Sequence, residues 1–177
     1  MLTEEEMLSL LKTDLSDHRF IHTLGVIDTS VALSKLYGAD ANVCRIAATL
    51  HDCAKYMSQS QMLEMIERHC IKLYPGESEN TELLHAPAGA ALAQEKYGVT
   101  DEKILSAIRN HTLGPSSMSL EDAIVFVADF IEPNRKSFGG LEDVRQMARK
   151  DLSSAINECK RLTREYCMQK GKVPLEF

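Results

Sequence analysis

The chain has no apolar run of membrane-spanning length, no CxxC pair, no internal repeat and no low-complexity segment. The first absence excludes a transmembrane helix. The second bears on the five cysteines, Cys44, Cys53, Cys70, Cys159 and Cys167. Odd in number and irregular in spacing, they read as reduced thiols rather than a disulfide framework or a cysteine-rich zinc site. Positive charge is also scarce, with a formal net charge of −6. That excludes a general attraction for nucleic acid polymers or an anionic membrane, so a polyanionic substrate needs a local basic cluster or a metal. The opening stretch MLTEEEMLSLLKTDL is acidic where a secretory leader is basic, so a cytoplasmic protein is expected. No segment alternates as a strand does.

What is present is helical pattern throughout. At 177 residues, 44% hydrophobic and 26% charged, the chain suits one soluble globular domain over residues 1–177. Thr3 caps a first helix with acidic residues in its opening turn. Ser16 or Asp17 opens a second, which runs to about Tyr37, stops at Gly38 and carries an apolar stripe of Phe20, Leu24, Ile27 and Val31. Asp40 caps a third with Ile46, Ala47, Leu50 and Ala54 on one face. Ser58 opens a fourth, and YPGESENTE reads as a loop. LLHAPAGAALAQEKYG holds a helix with Pro87 in its first turn and Gly98 past its end. Thr100 caps the next, which ends near Gly114. Ser119 caps another that stops by Pro133. A long last helix is expected from Leu141 to Lys170. The fold class is all-α, a bundle of about seven or eight helices.

Several polar residues interrupt these apolar faces. SDHRFIHTLGV carries His18 and His22 four residues apart on one helix face. His51 with Asp52, His85, His111 and Asp129 lie in or beside other helices. Asp129 is the only charged residue in AIVFVADFI, residues 123–131. A carboxylate buried there needs a cation, a hydrogen-bond network or a proton, and the nearby helix C-terminal end disfavours it further. His51 and Asp52 are neighbours, and neighbours on a helix diverge by about 100°. They reach one metal only near a helix end, or if the second bridges to another ion. Taken singly, His22, His85 and His111 read as satisfied core histidines. Together the set combines imidazole and carboxylate without thiolate, which suits zinc, iron or manganese and argues against a structural zinc site.

The order H…HD…D, here His22, His51 with Asp52, and Asp129, resembles the HD superfamily of metal-dependent phosphohydrolases. DHRFIHTLGV, AATLHDCAK, LLHAPAGA, IRNHTLG and VADFIEPNR resemble the successive motifs of its YqeK branch, the symmetrical bis(5'-nucleosyl)-tetraphosphatases. The match covers nearly the whole chain. It implies an HD-domain helical bundle and a cytosolic hydrolase that splits diadenosine tetraphosphate into two ADP. It implies iron as the cofactor, one or two ions, with manganese or zinc accepted by the same ligands. His22, His51, Asp52 and Asp129 match the metal ligands. His85 and His111 match two further histidines that hold a second metal with bridging Asp52, or else bind substrate phosphate.

Basic residues recur beside these positions, as a polyphosphate substrate requires: Arg19, Lys55, Arg109 and Arg135. Lys55 and Arg135 are the first candidates for phosphate. Ala86, with Pro87 after it, opens a helix whose free N–H groups suit an anion. His18, one turn before His22, is expected on the substrate side, binding phosphate or assisting proton transfer to the leaving ADP. Asp52, His18 and Lys55 are thus the candidate catalytic residues, and Gly25 is expected to leave space for the metal. His69 reads as an exposed helix residue, the eight methionines as core filler, and the tail GKVPLEF as a short appendage that could cover the pocket. The partners expected are a dinucleoside polyphosphate and its ADP or GDP product; the oligomeric state stays open between monomer and homodimer. Two other readings remain. One is an HD-type phosphohydrolase of mononucleotides or dNTPs; the other is a nucleotide-binding regulatory module with a structural metal.

Overall fold

A computed structural model describes residues 1–115 and 117–171. Among these residues there is no strand, and the chain folds as nine α-helices and one 3₁₀ turn. They are α1 (Glu4–Asp14), α2 (Asp17–Tyr37), α3 (Ala41–Leu50), α4 (Gln59–Arg68), the 3₁₀ turn Thr81–Leu83, α5 (His85–Glu95), α6 (Glu102–Asn110), α7 (Leu120–Ile131), α8 (Leu141–Ala148) and α9 (Leu152–Gln169). None is long and apolar enough to cross a membrane. The tail from residue 172, with any role over the pocket, lies outside the described residues.

Local chemistry sets most boundaries. Thr3, Ser58 and Ser119 close reciprocal capping boxes with Glu6, Gln61 and Asp122. Asp40 accepts from the backbone N–H groups of Asn42 and Val43. Gly38, at φ 73°, ends α2 in the left-handed conformation that a side chain would strain. Three expectations are corrected. The cap of α6 is Asp101, whose carboxylate accepts from the N–H of Lys103, and not Thr100. The long last helix is two, because Asp151 leaves helical geometry and caps α9 through the N–H groups of Ser153 and Ser154. His69 is half-buried, capping the end of α4 with its ring 3.0 Å from Glu95.

The inward face of α2 differs more. Leu24 is 39% exposed, and Phe20 and Val31 are only half-buried. The buried face is His22, Thr23, Gly25, Val26, Ile27, Ser30, Leu33 and Ser34. Thr23 and Ser34 are satisfied by donating to the carbonyls of Arg19 and Val31. Small residues let α2 lie close against α3 and α7.

Two large apolar clusters fill the interior, beside a small third of Leu83, Leu113 and Cys167. One joins α1, α3, α4, α5 and α6; the other joins α2, α3, α7, α8 and α9. Helix α3 supplies both, with Val43, Ile46, Ala47 and Leu50 to the first and Cys44 and Ala48 to the second. Its C-terminal end therefore emerges at the seam between the two clusters. All five cysteines are free, four of them buried.

Asp122 ties two helices at this seam. Its Oδ2 accepts from Ser106 Oγ and Asn110 Nδ2 on α6, both at 3.0 Å, and from the Ser119 N–H at 3.2 Å. Replacing Asp122 with Ala removes the return half of the capping box and takes from Ser106 and Asn110 the acceptor they share. We expect a loss of about 2–4 kcal/mol in urea unfolding, and a change within experimental error would refute the tie.

Candidate metal centre

Six ligand-type side chains converge on the seam from five places in the chain. His22 comes from the first third of α2. His51 and Asp52 follow the last residue of α3, where the chain tightens into i→i+3 turns. This helix end is what lets two neighbours face one centre. His85 begins α5, His111 follows the last residue of α6, and Asp129 lies in the last turn of α7.

The side chains form two triads, His22, His51 and Asp129, and Asp52, His85 and His111, the ligand atoms of each lying within 4.8 Å of one another. In the first, His22 Nε2 is 3.3 Å from His51 Nε2 and 3.0 Å from Asp129 Oδ1. In the second, His85 Nε2 is 3.0 Å from His111 Nε2 and 3.3 Å from Asp52 Oδ1. Asp52 joins the two. Its Oδ1 faces His85 and His111, while its Oδ2 lies 3.4 Å from His51 Nε2 and 3.8 Å from His22 Nε2.

Each ring is fixed from behind. The Nδ1 atoms of His51, His85 and His111 sit 2.7, 2.6 and 2.7 Å from the carbonyls of Ala48, Glu82 and Ile108, each three residues earlier. A carbonyl only accepts, so each Nδ1 carries a proton and, in the neutral ring, Nε2 is left with a lone pair aimed inward. Neutral rings would therefore face one another lone pair to lone pair at 3.0–3.3 Å. That arrangement is repulsive unless a cation lies among the nitrogens. The residues present fit a divalent metal on this ground. Such outward hydrogen bonds are also the usual support of a ligating histidine.

Charge within the cluster is divided. Burial pushes His85 well below the ordinary imidazole range, and burial with the charge of His51 brings His111 down to about 4. Burial also opposes protonation of His51, but the carboxylates of Asp52 and Asp129 outweigh it and raise its pKa. Burial works against both carboxylates. It is overcome by His51, His85 and Arg19 at Asp52, and by the His22 hydrogen bond and Arg135 at Asp129, so both lie well below the usual carboxylate range. Asp129 is 23% exposed at its side chain rather than fully enclosed. Arg135 explains its tolerance at a helix C-terminal end. The guanidinium donates to the Asp129 carbonyl at 2.6 and 3.0 Å and to Oδ1 at 2.9 Å. Cys53, adjoining Asp52, is held as a thiol by burial and points at the Gly89 carbonyl, so it does not compete as a ligand.

The other candidates are placed as follows. Arg19 Nη1 donates to Asp52 Oδ2 at 2.7 Å. Lys55 is half-buried, and burial lowers its pKa while Asp52 works the other way. His18 stands exposed on the first turn of α2 and joins neither triad. Ala86 is fully buried, and the 3₁₀ turn runs into α5 through Leu84 without a break, so that helix start is enclosed rather than open. Arg109 is engaged elsewhere: it makes two 2.7 Å bonds to buried Glu77 and lies 4.0 Å over the Tyr74 ring. It orders the loop before α5.

Glu132 is the residue that the sequence reading missed. It is 1% exposed, with Oε1 3.1 Å from His22 Nδ1 and Oε2 accepting from the Asn134 N–H at 2.6 Å. It gives His22 the support that carbonyls give the other three rings. Gly25 makes room for it: a Cβ there would stand 2.3 Å from Glu132 Oε2 and 2.8 Å from Asn134 Nδ2. The glycine thus admits Glu132, not a metal as expected. The available signal was an anion immediately before Pro133, at a helix end whose dipole repels it.

Glu132→Ala and Gly25→Ala should each weaken manganese binding by roughly 10–100-fold, read by titration calorimetry on folded protein. Unchanged affinity in both would show that the His22–Glu132 contact does nothing for the site.

The HD domain family matches residues 19–134 of the chain. The symmetrical bis(5'-nucleosyl)-tetraphosphatase of Bacillus subtilis is 41% identical over 171 residues, covering 97% of this chain and 91% of that protein. The protein of the same description from Halalkalibacterium halodurans is 45% identical over 152 residues, covering 84% of this chain and 79% of its own. A crystal structure from Clostridium acetobutylicum, described as a predicted HD superfamily hydrolase involved in NAD metabolism, superposes with a TM-score of 0.92. It is 35% identical and covers 98% of this chain and 91% of its own. With the HD domain matched over residues 19–134 and relatives matching along most of its length, the chain belongs to the HD-domain family, in the branch of the symmetrical bis(5'-nucleosyl)-tetraphosphatases.

Proposed function

We propose that the protein hydrolyses dinucleoside tetraphosphates, diadenosine tetraphosphate foremost, symmetrically into two nucleoside diphosphates, ADP or GDP. The observation that carries this reading is the convergence of four imidazole Nε2 atoms on the two oxygens of Asp52, every ring fixed through Nδ1. His22, His51 and Asp129 would hold one divalent ion and His85 and His111 a second, with Asp52 between them. Iron is the ion we assign, in line with the family resemblance; the same ligands accept manganese and zinc. When bound, such ions acidify water and neutralise charge on phosphoryl oxygens.

The protein's own groups bind and orient the tetraphosphate. Arg135 keeps part of its fork on Asp129 and is 33% exposed at its side chain, so its remaining N–H groups are free to meet phosphate oxygens. Arg19 spends Nη1 on Asp52 and is likewise part-exposed. Half-buried Lys55 offers a third cation whose partial desolvation strengthens its attraction for phosphate. His18 is open to solvent and suits phosphate binding or proton delivery to the leaving diphosphate. The five free cysteines fit a reducing cytoplasm.

Incubation with diadenosine tetraphosphate, with and without added iron or manganese, should yield ADP alone, resolved by chromatography. ATP with AMP would overturn the symmetrical cleavage, and turnover of mononucleotides only would overturn the substrate class. Lys55→Ala and His18→Ala should keep the metal content of the wild type. Their KM should rise about tenfold or more, the worth of one charge-assisted hydrogen bond.

A further inference from the structure

A cavity of about 690 Å³ opens beside the centre, between α7, the segment after it and the C-terminal half of α9. This lies within the roughly 300–1,000 Å³ of small-molecule sites. Its wall includes His111 and Asp129, one ligand from each triad, together with Arg135. It also includes Phe130, Phe138 and Tyr166. Arg19, Lys55 and His18 are not part of this wall.

The aromatic residues are placed in a way that folding alone does not explain. Phe138 is 40% exposed and Tyr166 55% exposed. Phe130 meets Phe138 edge to face at 5.5 Å and 89°, a contact that helps to hold the part-exposed Phe138 ring in place. On the same wall, Thr112 has a buried hydroxyl with no partner among the described residues.

We infer that this cavity seats one nucleoside of the substrate, its base stacked on Phe138 and Tyr166. The inference rests on the proposed hydrolysis of dinucleoside tetraphosphates and adds what that reading leaves open, namely where a base is held. The occupant follows from the order of chemistry along the wall. Metal ligands and a guanidinium suit phosphate, exposed rings beyond them suit a flat aromatic, and a nucleoside 5'-phosphate carries those two parts joined. Arg135 belongs to both settings, bonded to Asp129 and with its guanidinium carbon 5.9 Å from the Phe130 ring centre. Stacking on rings is tolerant of base identity, because every base has a π-face. The seat therefore accepts adenine and guanine alike.

The test compares KM for diadenosine tetraphosphate in metal-loaded wild type, Phe138→Ala, Tyr166→Ala and Tyr166→Phe. Both rings are exposed, so the alanine variants should fold, which circular dichroism checks. We expect each alanine variant to raise KM about tenfold, the loss appearing in KM rather than kcat and the metal content unchanged. Tyr166→Phe, which restores a ring, should recover most of the loss. A wild type that turns over the substrate while both alanine variants keep its KM would overturn the nucleoside seat and leave the activity standing. A wild type with no turnover of any dinucleoside tetraphosphate would overturn the activity and the seat with it.

Discussion

The carboxylate of Asp52 divides its two oxygens between two pairs of imidazoles, and the rest of the architecture serves to make that arrangement tolerable. Asp52 is 2% exposed. A charge so enclosed is costly unless it is paired and hydrogen-bonded. Arg19 bonds one of its oxygens, and four histidine nitrogens lie within 4 Å of one or the other. Where the rings are neutral, the same nitrogens meet lone pair to lone pair, an arrangement that a bound cation relieves. The site is thus two opposed electrostatic problems with a common answer in a bound metal. Helix α3 makes this geometry possible. Supplying both apolar clusters, it delivers its C-terminal end to the middle of the molecule, where an exposed helix would have delivered its ligands to the surface.

One local device recurs around the centre. His51 and His111 each follow the last residue of a helix, and His85 follows the 3₁₀ turn; all three turn Nδ1 onto the carbonyl three residues back. Helix ends provide such carbonyls because their last oxygens lack intrahelical partners. Each histidine is oriented by that carbonyl in one contact. His22 lies within α2, where carbonyls are already engaged, and so needs a partner from elsewhere. Glu132 is that partner, brought in across 110 residues of sequence, and Gly25 is the vacancy that admits it.

Much of this was readable beforehand, for reasons that can be stated. Caps at Thr3, Asp40, Ser58 and Ser119 are short-range chemistry, and they mark the starts of α1, α3, α4 and α7 where the sequence suggests. The polar residues that interrupt apolar faces are the ones the fold gathers. What escaped is non-local. The inward face of α2 carries Thr23, Ser30 and Ser34 because close approach to α3 and α7 favours small residues over large apolar ones, which pattern alone does not reveal. The break at Asp151 escaped because Arg149 and Lys150 do not look like a helix stop. The Glu132–Gly25 contact and the aromatic wall between α7 and α9 join segments far apart in the chain, with no periodicity to announce them.

The central claim is that Asp52 organises a centre for two ions. Counting divalent metal per chain tests it most directly, by elemental analysis and titration calorimetry on the wild type and on His85→Ala. The account predicts two ions per wild-type chain and one in the variant, the triad of His22, His51 and Asp129 remaining. A wild type that saturates with a single ion, and a His85→Ala variant that binds it unchanged, would contradict it.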